Sequence, residues 1–325
     1  MRRRQFILGL GGAAAWPLVL RAQQPGLPTI GMLHSQTRES EAARMPAIEQ
    51  GLGEAGFVAG RNVTIEHRFA DGRNDRLPML ANDLVRQQVD VIFANTTPPA
   101  LAAKAATATI PIVFVSGVDP VEVGLVASLN RPGGNVTGVT FLSNKLVAKR
   151  LALLCDVAPG GAPIGMLAAE HNPNTETDVR DALAAANALG RTLHVAKVAP
   201  AGDIDAAIAG LVRQQVGALF VAPQADFRMW RQQLVALAAQ HALPTSFSSS
   251  DHVAAGGLMS YGPDQMDSYR EAGVYTGRIL KGERPAGLPV MLATKFEFAV
   301  NLNTASALGL TIPPAVLALA TRVIE

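Results

Sequence analysis

Short apolar runs alternate with amphipathic stretches along most of this chain. Residues 29–33, 63–68, 91–94, 112–115 and 136–139 read as strands, with helical spacing of apolar positions over 42–52 and 76–87 between them. The alternation then starts again. Residues 164–167, 193–198, 218–221 and 245–247 are the next strand candidates, and 177–188, 204–214 and 227–240 the next helices. Apolar strands separated by helices predict parallel sheets covered on both faces.

Two short strings mark the restart as a duplication. Ile30-Gly31-Met32-Leu33 returns as Ile164-Gly165-Met166-Leu167, and Val85-Arg86-Gln87-Gln88-Val89 returns as Val212-Arg213-Gln214-Gln215-Val216, in the same order. Such self-similarity signals copies of one structural unit, here two doubly wound α/β lobes. A helical pattern over 264–280, a strand-like run over 296–301 and a helical pattern from Pro313 belong to neither copy. They are expected to cross back between the lobes and so supply several hinge strands. Lobe one is then 27–140 plus about 265–300, and lobe two 141–264 plus about 301–325, with a ligand cleft between them.

Composition changes this picture at one end of the chain. The 325 residues are 49% hydrophobic and 17% charged, enough apolar material for ordinary globular cores. Net charge is +2, but Arg2, Arg3, Arg4 and Arg21 fall among the first 22 residues with no acid beside them, so +2 less these four leaves −2 for the rest. A nucleic-acid binder carries its basic stripe in the folded part; here Lys and Arg are scattered singly, which speaks against that class of partner. Arg3-Arg4-Gln5-Phe6-Ile7 opens an apolar run over 6–20 that Pro17 breaks. Spanning a bilayer takes about 20 apolar residues, so the run reads as a signal peptide of twin-arginine type. Leu20-Arg21-Ala22 offers a cleavage site, the exported chain beginning near Gln23 in the periplasm; an uncleaved anchor is the alternative. Cys155, the single cysteine, excludes an internal disulfide and a cysteine-based zinc cluster, and reads as a buried structural thiol.

Ligands of open α/β sheets bind beyond the carboxyl ends of the strands, and clefts between domains are favoured positions. These rules select Ser35 and Gln36, Thr96 and Thr97, Ser116 and Asp119 in lobe one, and Asn172, Asp226 and Ser249 in lobe two. The duplication pairs the Asn95 to Thr97 loop with that of Pro223 to Asp226, and the Ser116 to Asp119 loop with that of Ser248 to Asp251. Helices are expected to open at Thr96-Thr97-Pro98-Pro99, Asp119-Pro120 and Asp226-Phe227, where free N–H groups and the helix dipole receive a carboxylate. An aspartate across the cleft, Asp226 foremost, would pair with an ammonium. The competing reading makes Thr97, Asp119 and Asp226 simple helix caps.

Other motifs fail in context. Gly51-Leu52-Gly53-Glu54-Ala55-Gly56 fits a dinucleotide fingerprint in letters, yet it closes a helix ahead of a strand, and the fingerprint must do the reverse. Arg131-Pro132-Gly133-Gly134-Asn135 is a turn without a phosphate-loop lysine. The six histidines are too dispersed for a metal cluster; His34 and His171 are candidates to face each other across the cleft, with capping or surface histidines as the competing reading. Asp71, Asp75 and Asp83, with arginines between them, read as a solvated face. No pattern points to catalysis, a metal or a cofactor.

Several strings resemble a known family. Ile110-Pro111-Ile112-Val113-Phe114, Asp119-Pro120-Val121 with Gly124-Leu125-Val126, and Arg131-Pro132-Gly133-Gly134-Asn135-Val136-Thr137-Gly138 are similar to the substrate-binding proteins of ABC transporters with type I periplasmic binding protein topology, in the group that serves tryptophan and tyrosine uptake. Asn301, Ala305, Leu308-Gly309-Leu310-Thr311-Ile312-Pro313-Pro314 and Val323-Ile324-Glu325 resemble that family's ending. The resemblance implies a monomer that captures a small solute, an amino acid or an aromatic or carboxylate compound, and passes it to an ABC permease in the inner membrane. Phe141, Phe227, Trp230, Phe247 and Tyr261 are the candidates for stacking on an aromatic ligand. A sensory module presenting solute to a receptor is the alternative, and an exported enzyme on the same scaffold a more distant one.

Overall fold

The computed structural model describes residues 26–158, 160–199 and 203–325, so the twin-arginine leader lies outside the described residues. The first lobe runs β1 (Thr29–His34), α1 (Arg38–Glu41), α2 (Met45–Glu54), β2 (Thr64–Phe69), α3 (Leu77–Arg86), β3 (Val91–Ala94), α4 (Thr97–Ala106), β4 (Ile112–Ser116) and β5 (Val136–Thr140). The second begins with α5 (Val147–Val157), β6 (Ile164–Ala169), α6 (Thr175–Ala188), β7 (Leu193–Val198), α7 (Asp203–Arg213) and β8 (Ala218–Val221). It continues through α8 (Asp226–Met229), α9 (Arg231–Gln240), β9 (Thr245–Phe247), α10 (Ser250–Ala254) and β10 (Met259–Pro263). The last segment holds α11 (Gln265–Leu280), β11 (Met291–Leu292), β12 (Phe296–Asn301), α12 (Leu302–Ala307), α13 (Pro314–Leu317) and β13 (Arg322–Ile324).

Two sheets result, ordered β11-β5-β4-β3-β1-β2 and β13-β12-β10-β9-β8-β6-β7. These are the two doubly wound lobes that the alternating pattern predicts. Every pairing is parallel except β10 with β12, where the returning chain enters antiparallel. The chain leaves lobe one after β5, returns with α11 and leaves again between β11 and β12. That last crossing lies before Phe296, so β12 belongs to the second sheet and not to lobe one, where a boundary near residue 300 would put it. The expected helix over 227–240 is broken at Trp230, which packs edge-on against Phe227 with ring centroids 5.8 Å apart.

The period of two in β1 sorts lobe one into two layers. Ile30 and Met32 join Ile48 and Leu52 of α2 and Tyr269 and Ala272 of α11. Leu33 faces the other way, to Leu77 and Leu80 of α3 and Ala100 and Ala103 of α4. In lobe two, α5 presents Val147, Leu151 and Leu154 to the core. Cys155 sits beside that stripe and is half-buried, not fully buried as expected; burial raises its thiol pKa.

The duplicated strings prove to be one packing unit. Gln88 and Gln215 both take left-handed conformations, φ 55° and 58°, just past α3 and α7. Val89 N–H donates to Leu84 O and Gln88 N–H to Val85 O; in the second copy Val216 donates to Leu211 and Gln215 to Val212. This is the Schellman termination, in which two otherwise unpaired carbonyls are satisfied and a hydrophobic pair closes the end. The glycine of the other repeated string accepts that pair: a Cβ on Gly31 would lie 2.9 Å from Leu84, and one on Gly165 2.9 Å from Leu211.

The glycine-rich string that mimics a nucleotide loop has a steric purpose. Gly51 on α2 lies against α11 so closely that a Cβ there would meet the Arg270 carbonyl oxygen at 1.9 Å. Gly273 and Gly277 on α11 answer it, since Cβ atoms at these positions would lie 2.4 Å from Ile48 O and 2.3 Å from Ala55. Small residues let the backbones approach, and this contact joins the returning helix to lobe one. Gly51→Ala is therefore expected to destabilise the protein by about 3 kcal/mol, the upper range for overpacking a tight core, measured by urea unfolding; an unchanged midpoint would refute the backbone contact.

Candidate functional site

The carboxyl ends of β3, β4, β8 and β9 converge on a cavity between the lobes. Thr96, Thr97 and Pro98 open α4 on one side, while Asn172, Asn174 and the Pro223-Gln224-Ala225 loop approach from the other. Phe141, Phe227 and Phe247 form apolar wall, with Val115 and Val221 beside them. Gln265 and Tyr269 of α11 complete it. Tyr269 is fully buried, donates its hydroxyl to Asn95 O at 3.0 Å, and has its pKa raised by that burial.

The polar groups stand in two ranks. Thr97 Oγ1 lies 3.0 Å from Ser116 Oγ, and Thr96 Oγ1 lies 3.1 Å from Ser35 Oγ, so two hydroxyls hold the two that face the cavity. In lobe two, Asn172 Nδ2 donates to Asp226 Oδ2 at 2.7 Å. Gln224 accepts from Ala169 N at 2.6 Å and donates to Thr175 Oγ1 and Asp178 Oδ2, both at 3.0 Å. Burial pushes the Asp178 carboxyl up to about 7. Behind the same strand ends Arg150, fully buried, donates to Val221 O and Ser246 O and stacks 4.2 Å over Phe220.

Ion pairs cross the cleft beside the cavity. Arg228 of lobe two meets Glu41 of lobe one at 2.9 Å, with side chains only 9% and 3% exposed. Burial acts to raise the Glu41 pKa, but Arg228 and Arg44 outweigh it and hold the carboxyl below its ordinary value. Arg44 donates to Asp251 at 3.1 Å and Gln265 at 3.3 Å, and its guanidinium lies over the Tyr269 ring. Neither arginine stood out in the sequence, where each is one more isolated charge.

Of the residues selected from sequence, Thr96, Thr97, Asn172 and Ser249 line the cavity. Ser35, Ser116 and Asp226 sit one layer behind, holding Thr96, Thr97 and Asn172. Gln36 is buried beside Ser35, and Asp119 accepts from Val121 N in a local turn; neither lines the cavity. Asp119-Pro120 opens no helix, because the chain turns there. Asp226 does not face the ligand space: it is buried, bonded to Asn172, and its pKa is raised by desolvation. Pro98 and Pro99 carry no N–H, so the α4 start lacks two of the donors that a carboxylate cradle needs.

Phe141, Phe227 and Phe247 reach the cavity as stacking candidates; Trp230 and Tyr261 do not. Tyr261 stacks on Phe296 instead, and Trp230 faces a separate depression that His171 also lines. His34 finds its partners within lobe one. Its Nε2 lies 3.1 Å from His67 Nδ1, its ring stacks on Phe69, and burial pulls it down to about 4. The expected solvated face does carry its ion pairs, Arg76–Asp71, Arg73–Asp75 and Arg68–Asp83.

Gln265, Tyr269, Arg228, His252 and Asn174 are the polar lining residues that strand-end reasoning missed. The first two belong to a helix outside the duplicated units. His252 stacks on Phe247 at 4.5 Å, and its Nε2 faces Phe227 O at 3.2 Å. A carbonyl accepts only, so Nε2 carries the proton and the unpaired Nδ1 is an acceptor.

The family described as ABC transporter substrate binding protein matches residues 30–324. A tyrosine-binding protein of Clostridioides difficile (strain R20291) is 28% identical over 263 residues, spanning 80% of this chain and 75% of that protein. An ABC domain from Streptococcus pneumonia, solved in complex with L-Trp, superposes with a TM-score of 0.83 at 27% identity, covering 91% of this chain and 99% of that one. The ligand-free, open structure of a Clostridium difficile substrate binding protein with adhesive properties gives 0.64 at 25% identity, covering 92% and 99%. At nearly equal coverage, the lower score against an open form agrees with lobes that meet across the cleft here.

Burial drives the His252 pKa from 6.5 to about 4. Between these values the unfolded chain takes up a proton that the folded one refuses, so stability falls as pH drops through that window. Asp178, raised to about 7, works in the opposite sense, which makes a comparison with a variant necessary. His252→Asn is expected to lose about 2 kcal/mol less than the parent between about pH 7 and about pH 4.5 in urea unfolding; parallel losses would refute a buried neutral imidazole.

Proposed function

This chain belongs to the ABC transporter substrate binding protein family, and we propose that it captures a small solute, an amino acid or an aromatic or carboxylate compound, between its lobes and delivers it to an ABC permease in the inner membrane. The observation that carries this reading is the cavity itself, walled by both lobes at the strand ends and bridged by Glu41–Arg228 and Arg44–Asp251. A ligand touching both walls stabilises the closed form because those contacts exist together only there. Thr96, Thr97, Asn172 and Ser249 are the polar contacts, and Phe141, Phe227 and Phe247 hold the ring. L-Trp and tyrosine, the solutes named for the relatives, supply the class to which the ligand is compared.

The setting is the periplasm, reached through the twin-arginine leader. No helix among the described residues is long and apolar enough to cross a membrane.

Two measurements test this function. Thermal shift and calorimetry of the exported chain against amino acids, aromatic acids and small carboxylates should find a selective stabiliser recovered unchanged; at a hundredfold excess over Kd it contributes about 2.7 kcal/mol. No stabiliser in the panel, or a chemically altered one, overturns the reading. Glu41→Gln leaves Arg228 unpaired in the ligand-free closed form but hydrated in the open one. Breaking a buried pair costs about 3 kcal/mol, so the ligand-free variant should populate the open form, with a larger radius of gyration by X-ray scattering; an unchanged radius would show that the pair does not bear on closure.

A further inference from the structure

The charges around the cavity are unevenly used. Among the described residues that line it, Arg228 is the single charged side chain, and no aspartate or glutamate is present. Four carboxylates lie nearby and each is engaged elsewhere: Glu41 by Arg228, Asp251 by Arg44, Asp226 by Asn172 and Asp178 by Gln224. Arg228 is nine-tenths buried and gives one amino group to Glu41, while its Nε–H has no partner. Pro98 and Pro99 remove the competing anion site at the start of α4. His252 is neutral and offers an acceptor, as does the unpaired Asn174 Oδ1.

An α-amino acid brings an ammonium as well as a carboxylate. Enclosed here, the ammonium meets neutral acceptors and a guanidinium of its own sign, and no carboxylate among the described lining residues offsets its desolvation. A carboxylate finds in the wall a guanidinium that is already ordered and that, with Glu41 taking one amino group, still offers its Nε–H. We propose that the preferred ligand is an aromatic monocarboxylate without an ammonium group, its carboxylate on Arg228 and its ring among Phe141, Phe227 and Phe247. This assignment rests on the solute-capture reading and narrows its substrate class.

Matched pairs test it by calorimetry: L-tryptophan against indole-3-propionate, L-tyrosine against 3-(4-hydroxyphenyl)propionate, and L-phenylalanine against 3-phenylpropionate. The deaminated member of at least one pair should bind about tenfold or more tightly, and the corresponding amines, tryptamine and tyramine, should not bind. Tighter binding of the amino acids overturns the proposal and leaves solute capture standing. Failure of all six acids to bind overturns the proposal, and overturns solute capture as well when the wider panel also yields no stabiliser. A neutral control separates charge recognition from folding: the parent should prefer 3-phenylpropionate to 3-phenylpropanamide, and the double variant Glu41→Gln with Arg228→Gln should lose that preference while keeping its thermal unfolding transition. A preference that survives in the folded double variant overturns the role of Arg228. Asp226→Asn, which also disturbs Asn172, should change the affinities for L-phenylalanine and 3-phenylpropionate by the same factor to within about threefold; a loss confined to the amino acid would place the ammonium at Asp226 and overturn the proposal.

Discussion

Glu41 and Arg228 meet at 2.9 Å across the interface between two lobes that are otherwise built as separate units. Each is almost wholly removed from water, and among the described residues neither has another ion of opposite sign in direct contact. A buried pair of this kind tolerates no half measure: together the charges compensate, and apart each must be hydrated. The pair therefore distinguishes sharply between closed lobes, where the partners meet, and open lobes, where water replaces them. Because Arg228 also lines the cavity, lobe closure and the electrostatic character of the ligand space depend on one guanidinium.

The second constraint is the helix that returns to the first lobe. α11 carries Gln265 and Tyr269 into the cavity, and its position is set by backbone approach at Gly51, Gly273 and Gly277. Tyr269 bonds to the end of β3 through Asn95 O, while Arg44 reaches over its ring to Asp251 in the other lobe. Packing inside lobe one thus orients groups that act between lobes.

Much of the architecture was legible because it depends on local periodicity. The strand and helix patterns of both copies reappear within a residue or two at most ends. The repeated strings fall on equivalent helix ends, where Leu84 and Leu211 fit against Gly31 and Gly165. The interlobe contacts were not legible. Glu41 and Arg228 are 187 positions apart, and no spacing rule relates residues that only tertiary structure brings together. Asp226 illustrates the limit from the other side. Its place at a strand end was read correctly, but the hydrogen bond to Asn172 that turns it away from the cavity depends on two loops converging.

The amino-acid sequence by itself determined the alternating elements, the duplication, the parallel lobes and the loops that face the cleft, since each follows from side-chain periodicity and chain-end geometry over short distances. Tertiary structure alone decided which of those polar groups meet the ligand space and which stand behind them. It also decided that, among the described residues, the cavity is lined by one guanidinium and no carboxylate, because that balance is set by pairings across two lobes that share no local sequence.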